Sequence, residues 1–315
     1  MDESLSLKIL VYGAGPIGSY LAGKLGESKL DVTLLARGGR LRSLSRYRVV
    51  LKTYEGVETT RVRVPLLERL GPEDAYDLVM VALGKNFYSG ALPFLAANIS
   101  TPNVLFIGNN VEGPGDMVRL LGRERVLLGF PEFKAKLDGR EVEYAIGEKP
   151  SLRLGDLNGG ESERLSWLKG VLEGAGFEVN VSPNMEAWLK CHASLVLPLS
   201  GAFIRAGRDL NKLSKDRDGL ILMLKAMREG LGVIKALNIP VLPSNLRRIE
   251  QVPNMLTGTY ARRLLKRRDL EYVLESGEKV QEEMRVLADE FQELKASTSL
   301  KTPALDEITE QIRSG

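Results

Sequence analysis

The stretch K8-ILVYGAGPIGSYLAGK-L25 decides the fold. Leu7–Tyr12 is an apolar run of strand length, and Ile17–Leu25 repeats apolar residues at helical spacing. Between them, Gly13, Gly15 and Gly18 fall at the G-x-G-x-x-G spacing, after a strand and before a helix. The first glycine allows a tight turn, the second lets backbone approach a pyrophosphate, and the third lets the helix pack on the strand. The helix N-terminus adds free N–H groups and the positive end of its dipole. Pro16 suits a first helical turn, where a missing N–H costs little. The pattern predicts a dinucleotide cradle made of Gly13, Ala14, Gly15, Pro16, Ile17 and Gly18.

Working outward, strand and helix patterns alternate. Asp31–Ala36 reads as a second strand, and Tyr76–Leu83 as a central one, the most apolar run in this half. A helical segment near Gly90–Ala97 precedes a strand at Asn103–Ile107. Val49–Thr53 and Thr60–Val64 read as a hairpin, as does Phe133–Ile146, turning at Asp138-Gly139. Glu161–Ala175 is amphipathic, and Phe177–Val181 closes the sheet. Strands separated by helix-length segments predict a parallel sheet. At Ser182 the character changes. Ser182-Pro183 reads as a helix start, with a capping hydroxyl and proline in the first position. Leu220, Leu224, Met227, Leu231 and Ile234 then recur at helical spacing, as do Val280, Met284, Leu287, Phe291 and Leu294. The predicted organisation is a Rossmann-like α/β domain over residues 1–181 and an all-α domain over 182–315.

The end of the second strand selects the dinucleotide. An acidic residue there would bind the adenosine ribose hydroxyls. This chain has Arg37, then Gly38, Gly39 and Arg40. A guanidinium pairs with a 2′-phosphate through two hydrogen bonds, so NADP(H) is the expected cofactor. Arg37 is the main contact, with Arg40 or Arg42 as helpers.

Composition narrows the chemistry. The net charge of the 315 residues is +3, without a dominant block of one sign, which argues against nucleic acid or an anionic membrane as the main partner. One cysteine, Cys191, and one histidine, His192, leave no intrachain disulfide, multi-cysteine zinc site or histidine-rich metal site. The acidic start Met1-Asp2-Glu3-Ser4 does not resemble a secretory signal. The longest apolar stretch, Ala193–Ile204, is short for a bilayer and contains Pro198. A cytoplasmic protein is the expectation.

The ordered set of motifs resembles the ketopantoate reductase (2-dehydropantoate 2-reductase) family. The resemblance rests on "KILVYGAGPIGSYLAGKL", "VTLLARGGRLRSL", "SLRLGDLNGG", "VLEGAGFEVNVSPNMEAWLK" and "LKTPALDEI", and runs nearly end to end. It implies NADPH-dependent reduction of ketopantoate to pantoate, on the route to pantothenate and coenzyme A. It also implies a cleft between a Rossmann domain and a helical domain, and a homodimer.

Reducing a 2-oxo acid needs a hydride at C2, a proton for the nascent alkoxide and groups for the carboxylate. With one histidine in the chain, a lysine in a partly dry cleft can give the proton, its pKa lowered by desolvation and neighbouring cations. The resemblance assigns that role to Lys190, in "AWLKCHAS". Asn109, after "NVLFI", would position the nicotinamide ribose and substrate, and Lys85, after "VALG", would sit beside the cofactor. The family's two substrate-binding asparagines, one and two helical turns after the lysine, are replaced by Ser194 and Pro198. Asn254 stands where the family has a carboxylate-binding serine, and Asp269, or else Glu271, takes the place of its hydroxyl-binding glutamate. Asn110 replaces a glycine, for which Gly113 compensates. His192 and Cys191 read as structural. Two alternatives stay open: a relative acting on a different 2-oxo acid, and a dinucleotide-binding protein without catalysis.

Overall fold

A computed structural model describes residues 7–28, 30–54, 56–253, 257–265 and 278–314. Its contacts divide the chain into two compact units. The first comprises Met1–Gly108 and Pro114–Met185; the second comprises Asn109–Gly113 and Glu186–Gly315. The chain passes into the helical part at Met185, and the short segment Asn109–Gly113 belongs with the helices.

In the first unit, β1 (Lys8–Tyr12), α1 (Pro16–Glu27) and β2 (Asp31–Leu35) make the opening βαβ. There follow α2 (Gly38–Tyr47), β3 (Val49–Thr53), β4 (Thr59–Val62), β5 (Leu66–Leu67), β6 (Leu78–Val81), α3 (Tyr88–Ala97), β7 (Val104–Ile107), α4 (Gly115–Leu121), β8 (Val126–Pro131), β9 (Lys134–Asp138), β10 (Glu141–Ala145), β11 (Ser151–Asp156), α5 (Glu163–Gly174) and β12 (Glu178–Val181). The main sheet runs β12-β11-β8-β7-β6-β1-β2-β5. Its pairs are parallel except β8–β11, which is antiparallel. β1, β6 and β7 are fully apolar and buried over their inner residues, as expected of strands covered on both faces.

Both expected hairpins form, β3–β4 and β9–β10, but they build a separate sheet. That sheet has the order β4-β3-β10-β9, joined by a parallel β3–β10 pairing. It covers the outer side of α1, and its covering explains why α1 is buried nearly all round. Tyr20 of α1 packs its ring 4.5 Å from Phe133 and 4.8 Å from Tyr144.

One backbone conformation stands out. Arg48, just past α2, has φ 67° and ψ −174°. That region is populated almost solely by glycine and costs a side-chain-bearing residue on the order of 1–3 kcal/mol.

The second unit contains α6 (Met185–Arg205), α7 (Leu210–Lys215), α8 (Arg217–Ala236), α9 (Arg248–Gln251), α10 (Thr257–Leu265), α11 (Glu278–Ala296) and α12 (Pro303–Ser314). The stripe Leu220, Leu224, Met227, Leu231, Ile234 is buried in its core beside Leu287, Phe291, Leu305 and Ile308. α6 starts at Met185, beyond the expected Ser182-Pro183. The Ser182 amide still donates to the Leu154 carbonyl at 2.8 Å, so that residue continues the extended pairing with β11. α6 also runs unbroken across Pro198. By length and composition its 21 residues are apolar enough to cross a membrane, but most of them are buried inside the second unit.

Candidate active site

In the first unit the chain goes from β1 to β2 on one side, then crosses to β6 on the other. A doubly wound sheet binds its ligand at the carboxyl ends of strands flanking such a reversal. The glycine turn lies there. Gly13 has φ +117°, and a Cβ on it would sit 2.7 Å from the Ala82 carbonyl oxygen, just after β6. A Cβ on Gly18 would overlap the Gly13 carbonyl oxygen. Both glycines are required by the fold.

Gly15 is not. Its φ of −68° and ψ of −174° are open to any residue, and a Cβ there would meet nothing within 4 Å. It caps the N-terminus of α1 with no side-chain partner, and the first turn holds no acidic residue. Bare N–H groups, a positive dipole end and clear space fit a dinucleotide pyrophosphate.

Arg37 is exposed at the carboxyl end of β2, as the N-cap of α2. It lies close enough to Tyr12 for its charge to oppose the rise that burial imposes on that phenol's pKa. Arg40 is placed differently from the expectation. Its Nε donates to the Ala14 carbonyl at 3.1 Å, and its Nη2 donates to Ser19 Oγ at 3.0 Å. Ser19 Oγ in turn donates to the same Ala14 carbonyl at 3.1 Å. Arg40 is therefore a strut that holds the glycine turn, and burial lowers its pKa. Its donors are spent on the protein because α2 lies directly against the turn. Arg42 is exposed. Lys85 opens a short 3-10 turn after β6, its Nζ 5.6 Å from the Tyr88 ring.

In the second unit, Lys190 on α6 is 5% exposed. Its Nζ pairs with Glu186, one helical turn earlier, on a side chain that is 44% exposed. The group beside the ammonium is thus a carboxylate, not the cations the sequence suggested. A Cβ on Gly113, where φ is +102°, would come within 3.4 Å of Lys190 Nζ and 2.9 Å of Glu186 Oε1. Glycine at 113 keeps the segment close against this ion pair.

That segment is tied down on several sides. Asn110 closes it: its Nδ2 donates to the Gly113 carbonyl, and the Gly113 amide donates back to its Oδ1, both at 3.0 Å. Glu290 of α11 accepts the amides of Val111 and Glu112, each at 3.0 Å. Asn109 Nδ2 donates to Glu283 Oε1 at 3.2 Å. The sequence reading missed Glu186, Glu283 and Glu290. The four-residue spacing of Glu186 and Lys190 was the one available signal.

Ser194 is fully buried. Its Oγ donates to the Cys191 carbonyl at 2.7 Å, and a Cβ on Gly230 of α8 would come within 2.9 Å of its own Cβ. In this packing it is a helix–helix contact rather than a substrate contact, since α8 covers that side of α6. His192 stacks on Trp188, rings 5.2 Å apart and 6° from parallel. Cys191 is buried, accepts the Leu242 amide at 3.4 Å, and has its thiol pKa pushed up by burial. Asn254, Asp269 and Glu271 lie outside the described residues.

Comparison with known proteins identifies similar chains. Residues 9–159 match the family model described as Ketopantoate reductase PanE/ApbA. The chain is 27% identical over 260 residues to a 2-dehydropantoate 2-reductase of Mesorhizobium japonicum, covering 72% of this chain and 77% of that one. It is 25% identical over 181 residues to the uncharacterized oxidoreductase YkpB of Bacillus subtilis, spanning 57% of this chain and 59% of that relative's length. Among solved structures, D-mandelate dehydrogenase with NADH and anilino(oxo)acetate superposes at a TM-score of 0.80, with 16% identity over 98% of both chains. Structures of 2-dehydropantoate 2-reductases superpose over the same share of this chain.

Proposed function

We infer that the chain is an oxidoreductase of the ketopantoate reductase family, whose family model matches residues 9–159 and whose members it resembles along most of its length. We propose that it reduces a 2-oxo acid to the 2-hydroxy acid with NADPH, and that ketopantoate, giving pantoate, is its substrate. The observation that carries this reading is the burial of Lys190. An ammonium held at 5% exposure against Glu186 and Gly113 has no packing reason to be a lysine.

The chain's own groups divide the work. The amides at the start of α1 take the pyrophosphate, with Gly15 leaving the room. Arg37 takes the 2′-phosphate. A reduced nicotinamide held by these groups would supply the hydride that the reduction needs. Lys190 Nζ donates its proton to the keto oxygen as charge builds there, and is reprotonated from solvent. Glu186 keeps the ammonium oriented, and Asn109 contributes a polar contact for ribose or substrate. On this reading the enzyme works in the cytoplasm on a small diffusible acid.

The test is loss of NADPH absorbance with ketopantoate and a panel of other 2-oxo acids, for the parent and Lys190→Ala. We expect kcat to fall by about 10²–10⁴ in the variant, with NADPH affinity retained. Equal rates would remove Lys190 from the chemistry. A second reading, a different 2-oxo acid, is favoured by Ser194, whose hydroxyl is spent inside its own helix. The likeness to a mandelate dehydrogenase makes aryl oxo acids the natural second arm of the panel.

A further inference from the structure

At the far end of α2 from the glycine turn, Arg46, Arg48 and Arg63 line a cavity of about 420 Å³. The remaining lining is Leu44, Ser45 and the Val64–Leu66 stretch, so no Asp or Glu is among the lining residues; all three arginines are exposed, and the Arg46 guanidinium lies 5.2 Å from the Tyr47 ring. Among the described residues none of the three is in an ion pair. The volume is that of a small-molecule pocket. Ten residues of helix separate it from Arg37, a span of roughly 15 Å. It is therefore not part of the dinucleotide cradle.

The helix dipole does not account for this cluster. Arg46 sits in the last turn of α2, where a cation complements the helix dipole. That end carries only about half a negative charge, and three cations exceed it several-fold. Arg63, from the segment after β4, is not part of the helix at all. Strain is the second point. Arg48 holds a backbone conformation that glycine would adopt without cost. An arginine kept in such a place serves its side chain.

We propose that this cavity binds a small phosphate-bearing molecule, separately from the active site. Guanidinium forks match phosphate oxygens with paired hydrogen bonds, and three of them compensate at least two negative charges. The proposal is independent of the reductase assignment.

The test is calorimetric titration of inorganic pyrophosphate into the full chain, at ionic strength held constant with sodium chloride. It is run in a Gly15→Asp background, because an aspartate at the α1 N-cap suits the helix and repels phosphate from the glycine turn. We expect saturable one-to-one binding that Arg48→Gly and Arg63→Ser each weaken at least tenfold. We also expect Arg48→Gly to melt higher than its parent in anion-free buffer, because the strain is relieved. Absence of saturable binding, or binding indifferent to both substitutions, would overturn the proposal. So would a lower melting temperature for Arg48→Gly, since the arginine would then be there for the fold. An RNA oligonucleotide that displaced pyrophosphate and bound more tightly would overturn the small-molecule assignment.

Discussion

Gly15 and Gly18 belong to one motif, yet the structure predicts opposite consequences for the same substitution. At Gly15→Ala the added methyl meets no protein atom within 4 Å and the backbone conformation is ordinary. Losing glycine as the helix cap costs about 1 kcal/mol, and the stiffer unfolded chain returns about 0.4–1 kcal/mol. The melting temperature should move by no more than about 2–4 °C. The methyl does fill the space left for a pyrophosphate. Overpacking of that kind costs about 1–3 kcal/mol, so dinucleotide affinity should fall by roughly 5- to 150-fold. At Gly18→Ala the methyl overlaps the Gly13 carbonyl oxygen and stands 3.3 Å from Ala82 Cβ. The same 1–3 kcal/mol or more is then charged to the fold, and each kcal/mol lowers the melting temperature of a unit this size by about 2–4 °C. Thermal melts followed by circular dichroism, with fluorescence titration of NADPH, separate the two. A Gly15→Ala protein that bound as the parent does would refute the cradle. So would identical melting temperatures for the two variants.

Three other perturbations have definite expected outcomes. Arg37→Ala should weaken NADPH binding by about 10- to 150-fold, the worth of a hydrogen bond to a charged group, and leave NADH binding unchanged; equal losses for both would place the 2′-phosphate elsewhere. Asp156 is hydrogen-bonded by Arg164, Ser162 and the Asn158 amide, and the Arg164 bond does most to hold its pKa at about 2 instead of 3.8. Because the folded value is the lower one, its contribution is complete above pH ~4 and is lost as pH falls toward ~2. The size is about 2–3 kcal/mol, and Asp156→Asn should cost that at neutral pH and flatten the acid limb of a stability–pH curve measured by urea unfolding. Glu290→Gln replaces a charged acceptor of two amides with a neutral one. It should speed hydrogen exchange at Val111 and Glu112 by roughly tenfold, with the remainder of α11 unaffected.

The local grammar of the first half was legible because each signal is short-range. A strand, three spaced glycines and a helix are contiguous, and the roles of Gly13 and Gly18 follow from turn geometry alone. The heptad-like stripe on α8 was equally legible, since burial follows helical period. The hairpins were read correctly one at a time. Their union into a second sheet was not, because the parallel pairing of β3 with β10 joins residues some ninety apart in the chain. Arg40 looked like a cofactor contact because charge is all that composition shows. Its hydrogen bonds to Ala14 and Ser19 depend on where α2 comes to rest. Ser194 looked available for the same reason, until the packing of α8 over it removed that option.

By itself the sequence determined the periodicities, the turn chemistry and the residue types able to hold phosphate or give a proton. These are properties of neighbours in the chain, and the chain order preserves them. Only the tertiary structure decided which of those groups are spent on the fold and which remain for a ligand. Gly15 is spare while Gly18 is not, and Arg40 is occupied while Arg37 is exposed. Lys190 is buried against Glu186 and the 109–113 segment. A side chain's free valences are whatever its spatial neighbours leave unmet, and those neighbours come from distant parts of the chain.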